Sequence, residues 1–397
     1  GINQIQCMPV YEFEECDNGH INYWGYGPGY YFAPKRSYSS GKSASRELKD
    51  MVRECHSAGI EVVLEMPFDA GISPQTVVEC LRFYMFEYHI DGFVVNPYVV
   101  PWDILSMDPF LKDIKLMRKD DGFQNVMRRY LKGDENMVND VIWALGHNSG
   151  YDGKCNYITT HTGFTLLDLV SYDGKHNEAN GERNHDGPDY NYSWNCGAEG
   201  PSRKKAVVSL RKNQVRNAFQ LLLTAQGTPC LLAGDEFGNS QKGNNNVYCQ
   251  DNETAWVNWS RLRTDDSLFR YVKALIAFRK AHECLHRETA LEGMDRTACG
   301  MPDVSYHGEN AWRVKSEVSS RQLGVLYSGV NKQDEACFAA YNMHWLEHSF
   351  ALPSPGKGKK WYLAADTADG VLEKPELLEE QKSIDLKARS ISLLVSR

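Results

Sequence analysis

The chain has 397 residues, 42% of them apolar, a net charge of −8 and a sequence pI near 5.9. That length exceeds one ordinary domain unless the domain is a barrel, so a barrel plus one smaller domain is expected. The acidic balance argues against a nucleic-acid binder, and no apolar run reaches membrane-spanning length or reads as a signal peptide.

The predicted elements follow in chain order. A short apolar strand is expected at 5–10, then a Gly- and Tyr-rich loop over 17–40. Residues 45–58 place Leu48, Met51, Val52 and Cys55 on one helical face, and Gly59 stops the helix. A buried strand at 60–66 is closed by Pro67. A helix over 74–88 turns Val77, Val78, Leu81, Tyr84 and Met85 inward. Strands are expected at 93–95, 114–117, 157–160 and 229–233. Helices are expected over most of 123–145, over 204–226 and over 268–282. Continuous apolar strands, each followed by an amphipathic helix, predict a parallel sheet covered on its outer face. We read a (β/α)-barrel over 1–286. From 287 the pattern changes to short segments at 324–327, 335–341, 348–352, 360–363 and 390–395. Turn signals such as Pro353-Ser354-Pro355-Gly356 and Asp369-Gly370 separate them. They predict an antiparallel β-sandwich over 287–397.

Eleven cysteines are scattered without C-x-x-C or Cys/His spacing. They read as free thiols in a reducing cytosol, so the expected location is cytoplasmic and neither a metal nor a cofactor is expected. The Asn-rich string 244–252 has no diagnostic metal spacing.

Ile90-Asp91-Gly92-Phe93-Val94-Val95-Asn96 resembles the D-G-F-R-F-D strand of the α-amylase superfamily of glycoside hydrolases. Longer strings are similar to the isoamylase and bacterial glycogen-debranching branch of that superfamily. They are His161-Thr162-Gly163-Phe164-Thr165-Leu166, Lys175-His176-Asn177-Glu178, Asn191-Tyr192-Ser193-Trp194-Asn195 and Leu232-Ala233-Gly234-Asp235-Glu236-Phe237. Tyr23-Trp24-Gly25-Tyr26 and Pro302-Asp303-Val304-Ser305-Tyr306-His307-Gly308 match the same branch. The resemblance implies a (β/α)8 TIM-type barrel, α-1,6 branch points of glycogen or starch as substrate, and three catalytic carboxylates. Residues 5–10 align with the second barrel strand, so the first strand and an N-terminal carbohydrate-binding domain are expected before Gly1. The stretch after the fifth strand reads as shortened.

Each carboxylate position is substituted. The nucleophile position carries Asn96, and the Arg beside it is Val94. The general-acid position carries Lys119, or Val100 if Pro101-Trp102-Asp103 is the aligned P-W-D. The third position carries Thr162. An amide cannot form the covalent glycosyl intermediate of a retaining glycosidase, and a charged ammonium is a poor acid near neutral pH. These three are expected to cluster at the barrel mouth with His161 and Tyr26. His161 either contacts a sugar ring or is a satisfied histidine at a strand end. Tyr23, Trp24 and Tyr26 either form a stacking platform for glucose or pack their own loop. The leftover acids Glu65, Asp69, Asp91 and Asp120 show no paired spacing.

The expected function is therefore a catalytically silent debranching-family homologue. It would bind α-glucan or maltooligosaccharide weakly, or act as partner or regulator of an active glucan-metabolising enzyme. An active α-1,6-glucosidase and a pure interaction scaffold are the alternatives.

Overall fold

The structure, a computed structural model, describes residues 1–17, 19–41, 43–118, 121–146, 153–331 and 334–397. It divides into two compact units. The first comprises Gly1–Asp120, Tyr151–Cys155 and Val247–Ala255. The second comprises Asp121–Gly150, Asn156–Asn246 and Trp256–Arg397.

In the first unit four parallel strands lie in the order Gln4–Cys7, Glu61–Met66, Gly92–Val95 and Lys115–Arg118. Cys7 stands opposite Leu64, Leu64 opposite Phe93, and Val94 opposite Met117. The two-residue period of a strand sorts the side chains. Val62, Leu64, Met66, Phe93 and Val95 pack with Val52 of the helix Ala44–Ser57 and with Val77, Leu81 and Tyr84 of the helix Pro74–Tyr88. Val63, Val94 and Met117 form a small separate cluster. Burying each such side chain stabilises the unit by roughly 1.5–3 kcal/mol.

The helix ends follow local chemistry. Ser43 accepts from the Arg46 N–H and Ser73 from the Thr76 N–H, with Pro74 at the first helical position. His89, at φ 56°, ends the second helix in the left-handed conformation. Gly92 has a spacing role: a Cβ there would lie 2.6 Å from the Lys115 carbonyl oxygen, so a side chain would force the adjacent strands apart.

In the second unit a six-stranded antiparallel sheet runs in the order Val304–His307, Gln322–Tyr327, Cys337–Asn342, Ser390–Ser396, Trp361–Asp366 and Gly370–Leu377. Leu323, Val325, Tyr341 and Leu393 pack against Met127, Leu145, Phe219 and Leu275. Those four come from the helices Asp121–Lys132, Val138–Gly146, Lys205–Thr224 and Ser267–Ala281. The alternate residues Leu326, Phe338, Trp361 and Leu394 pack with Phe350 and Leu386, which belong to the pair His348–Ala351 and Ser383–Leu386. The expected C-terminal β-domain is thus six strands faced by two.

Residues 123–145 are mostly helical, as expected, in two helices parted at Gly133, whose φ is 88°. The Gly133 amide closes the first helix on the carbonyls of Arg129 and Tyr130. Several expectations need correction. The strand expected at 157–160 is only Cys155–Asn156, and that at 229–233 only Thr228–Pro229. Residues 158 and 159 are held instead by side chains. Arg128 Nε donates to the Ile158 carbonyl at 2.7 Å, and the Thr159 hydroxyl donates to Asp235. Strands that were not foreseen lie at Tyr11–Phe13, Cys16–Asp17, His20–Ile21 and Gly29–Pro34, which put strand pairs into the expected loop over 17–40, and at Val304–His307, Gly370–Leu377 and Ser383–Leu386. Gly370–Leu377 is a largely solvated edge strand that carries Pro375, so its apolar alternation is faint.

The mixed α/β chain with a C-terminal β-domain agrees with expectation. Among the described residues no sheet closes on itself. The parallel strands form the four-stranded sheet, and Cys155–Asn156 with Thr228–Pro229 forms a separate two-stranded one. Among these residues no helix is long and apolar enough to cross a membrane, and the eleven cysteines are free thiols.

Candidate active site

In the first unit Asn96 follows the strand Gly92–Val95 and is exposed. Its Oδ1 accepts from the Tyr98 N–H at 3.0 Å, while its carbonyl accepts from the amides of Val99 and Val100. Asn96 therefore caps the turn that leaves the strand, a local role suited to a short amide. Val94 and Val100, at the matched Arg and alternative acid positions, are both buried. Lys119 and Asp120 lie outside the described residues.

Tyr23, Trp24 and Tyr26 share one loop whose clamp is Asn22, a buried residue that sequence reasoning missed. Asn22 Oδ1 accepts from the amides of Trp24 at 2.9 Å and Gly25 at 3.3 Å. Its Nδ2 donates to the Tyr26 carbonyl at 2.6 Å. The Asn-x-x-Gly spacing is a faint turn signal that could have flagged it. Gly25 has φ 80°, and a Cβ there would meet Pro9 Cβ at 2.7 Å. Trp24 meets Tyr26 and Tyr248 edge-on, at centroid distances of 6.2 and 6.3 Å. The Tyr26 hydroxyl donates to Glu65 Oε1 at 2.5 Å. Burial, then the Glu65 charge, push the Tyr26 phenol well above its ordinary range. Tyr23 keeps an exposed ring. The loop is internally packed and still presents aromatic surface.

Two leftover acids have structural duties. Asp91 Oδ2 accepts from the Val62 amide at 2.7 Å and meets His56 Nε2 at 2.8 Å. Asp69 accepts from the Tyr31 hydroxyl at 3.1 Å.

In the second unit Thr162 is exposed, with its hydroxyl 3.0 Å from that of Thr160. His161 is partly buried beside it. Gly163 ties this turn to the Asn245 carbonyl at 3.0 Å. Below the turn lies Arg128, buried, with Nη1 on the Asn191 carbonyl at 3.2 Å and Nη2 without a hydrogen-bond partner among the described residues. Burial lowers its guanidinium to about 10. Asp235 is fully buried; its Oδ1 accepts from the Leu166 amide at 2.8 Å. Burial, opposed by these hydrogen bonds, pushes its carboxyl up to about 7. Asp168 is raised by burial too, against bonds from the Ser240 hydroxyl and the amides of Gln241 and Gly243.

The polar strings around 175–187 and 244–246 are ties within this unit. Asn177 and Asn245 exchange hydrogen bonds at 2.8 and 2.9 Å. Asp186 Oδ2 collects amides from Asn177, Asn180 and Asn246. Among the described residues no three His, Cys, Asp or Glu side chains gather as metal ligands. Of the expected cluster, Asn96 stands in the first unit and Thr162 with His161 in the second.

No family model matches the sequence. The glycogen operon protein GlgX homologue of Mycobacterium tuberculosis strain H37Rv is 28% identical to this chain, over 99% of it and 70% of the relative. That alignment has 503 positions, more than the chain has residues, so the relative carries internal stretches that are absent here. Rice chloroplastic isoamylase 1 is 27% identical over 92% of this chain and 59% of its own length. Among solved structures, Bacillus subtilis type I pullulanase complexed with maltose matches the whole chain with a TM-score of 0.72 and 17% identity, over 63% of that protein. This last likeness concerns the fold. The motif strings, these relatives and the shared fold agree: the chain belongs to the isoamylase and bacterial glycogen-debranching branch of the α-amylase superfamily.

Proposed function

We propose that this chain is a non-hydrolysing α-glucan-binding member of its family, acting as partner or regulator of an active glucan enzyme. One observation carries the reading: the side chain at the nucleophile position, Asn96, is a neutral amide already engaged in capping its own turn. Retaining hydrolysis needs a carboxylate nucleophile and a proton donor about 5 Å apart. Thr162 at the third position supplies a hydroxyl, which adds no negative charge against an oxocarbenium ion. The aromatic loop around Tyr23 and Tyr26 supports retained, weak affinity for glucose rings. The pullulanase of similar fold was solved with maltose, which favours the same ligand class. Eleven free thiols favour a reducing, cytoplasmic setting.

The names of the relatives favour a second reading, an active α-1,6-glucosidase. Incubation of purified protein with glycogen, followed by a reducing-end assay, separates the two. The proposal expects no release above background together with detectable oligosaccharide binding. Release of linear chains would establish the second reading.

A further inference from the structure

The string Pro302 to Gly308 is unused by the site above. Its strand, Val304–His307, lies at one edge of the six-stranded sheet. Beside it is an open groove of about 570 Å³, lined by Glu292, Ser305, Tyr306, Trp312 and Val314 among others. That volume falls within the roughly 300–1,000 Å³ of small-molecule sites.

The groove is built rather than incidental. Asp303, buried, accepts from the amides of Glu292 at 2.9 Å and Gly293 at 2.7 Å, and so fixes one rim. Trp312 forms part of the lining and is 52% exposed. Its backbone has φ 64°, a left-handed conformation that a bulky residue seldom adopts. The buried His307 holds it there. Its Nδ1 accepts from the Trp312 amide at 2.8 Å, and its ring meets the indole edge-on at 4.9 Å. His307 Nε2 pairs in turn with the Ser305 hydroxyl at 2.8 Å. The rim, the brace and the strand therefore present an indole face next to polar groups. Among the described residues the Trp312 indole N–H makes no hydrogen bond to the protein, and the Tyr306 hydroxyl, which makes none either, stands beside Gly146, where an added Cβ would lie 2.9 Å from it.

An exposed, immobilised indole beside uncommitted hydroxyl and N–H groups suits a ligand with one apolar face and a hydroxyl rim. A pyranose ring is such a ligand, and strain kept at a binding surface is a recognised sign of function. We propose that this groove is a second carbohydrate site, which takes a short α-1,4-glucan segment with one ring stacked on Trp312 and its hydroxyls bonded to Tyr306 and Glu292. The site needs none of the substituted family positions, so it holds whether or not the chain hydrolyses glucan.

The test is affinity electrophoresis of the full chain in amylopectin gels, with maltohexaose titration followed by tryptophan fluorescence. Trp312→Ala is expected to weaken binding by about tenfold or more, and Trp312→Tyr, which keeps a stacking ring, to stay within about threefold of wild type. Tyr26→Ala is expected to leave a Trp312-dependent component of binding. Should Trp312→Ala fail to fold, Tyr306→Phe decides the matter, with a loss of about threefold or more expected. Wild-type affinity in the Trp312→Ala and Tyr306→Phe proteins, or loss of all binding on Tyr26→Ala alone, would overturn the proposal. So would a wild-type chain that binds no maltohexaose.

Discussion

The Tyr26 hydroxyl donates to Glu65 Oε1 at 2.5 Å, which joins the aromatic loop to the strand Glu61–Met66. Glu65 is buried, so loss of this donor removes a hydrogen bond made to a carboxylate away from solvent. Tyr26→Phe is expected to cost about 1–3 kcal/mol in urea unfolding. An unchanged midpoint would show that the bond contributes nothing to the unit.

Restoring one carboxylate should not restore hydrolysis. Asn96→Asp is expected to release no reducing ends from glycogen, because on the proposed reading Val94 stands at the matched Arg position and Thr162 at that of the third acid. Catalytic groups that act as a set are strongly non-additive. Measurable turnover by this variant would mean that a working proton donor survives elsewhere.

Asp235 should make stability depend on pH. The folded chain keeps its proton up to about pH 7, against an ordinary carboxyl value of 3.8. Between those values the folded state binds more protons than the unfolded state. Its contribution is therefore complete below about pH 4, declines as pH rises to about 7, and is then flat. Asp235→Asn is expected to gain on wild type between pH 5 and 7.5, by up to about 2–3 kcal/mol. Parallel stability curves for the two proteins would refute it.

His307 acts in the opposite sense. Burial lowers its imidazole to about 4, from 6.5. The unfolded chain binds the proton first on acidification, so stability is lost as pH falls from 6.5 toward 4. His307→Gln is expected to lower stability near pH 7, through the lost Ser305 and Trp312 contacts, and to flatten this acid limb. Thermal melts at pH 5 and 7 test both.

Arg128 places a buried guanidinium on the carbonyls of Ile158 and Asn191. Arg128→Ala would strand both carbonyls and open a cavity, at a cost of about 3 kcal/mol or more. Arg128→Met fills most of the volume and removes a buried charge, so a smaller loss is expected. Equal losses in denaturant unfolding would contradict this account.

Much of the secondary structure was legible because it is local. The helix Pro74–Tyr88 is where Ser73, Pro74 and the apolar spacing put it. The strands Gln322–Tyr327 and Ser390–Ser396 follow their runs of Val and Leu. The failures are equally physical. Residues 157–160 carry an apolar, β-branched pattern, yet Arg128 takes the Ile158 carbonyl that a ladder would use. Gly370–Leu377 pairs as an edge despite Pro375.

By itself the sequence determined the period of most helices and of many strands, and the family strings. Those are properties of single positions and short windows. Only the tertiary structure decided what each polar side chain is used for. Asp91 was free to be a catalytic candidate until the folded sheet brought the Val62 amide to it. Asn22 was unremarked until the loop closed on it. Trp312 was one indole among nine until His307, buried in a neighbouring strand, held its backbone left-handed. Such pairings join groups that packing, not spacing, brings within hydrogen-bond reach, and a buried polar group must take whichever partner the packed chain supplies.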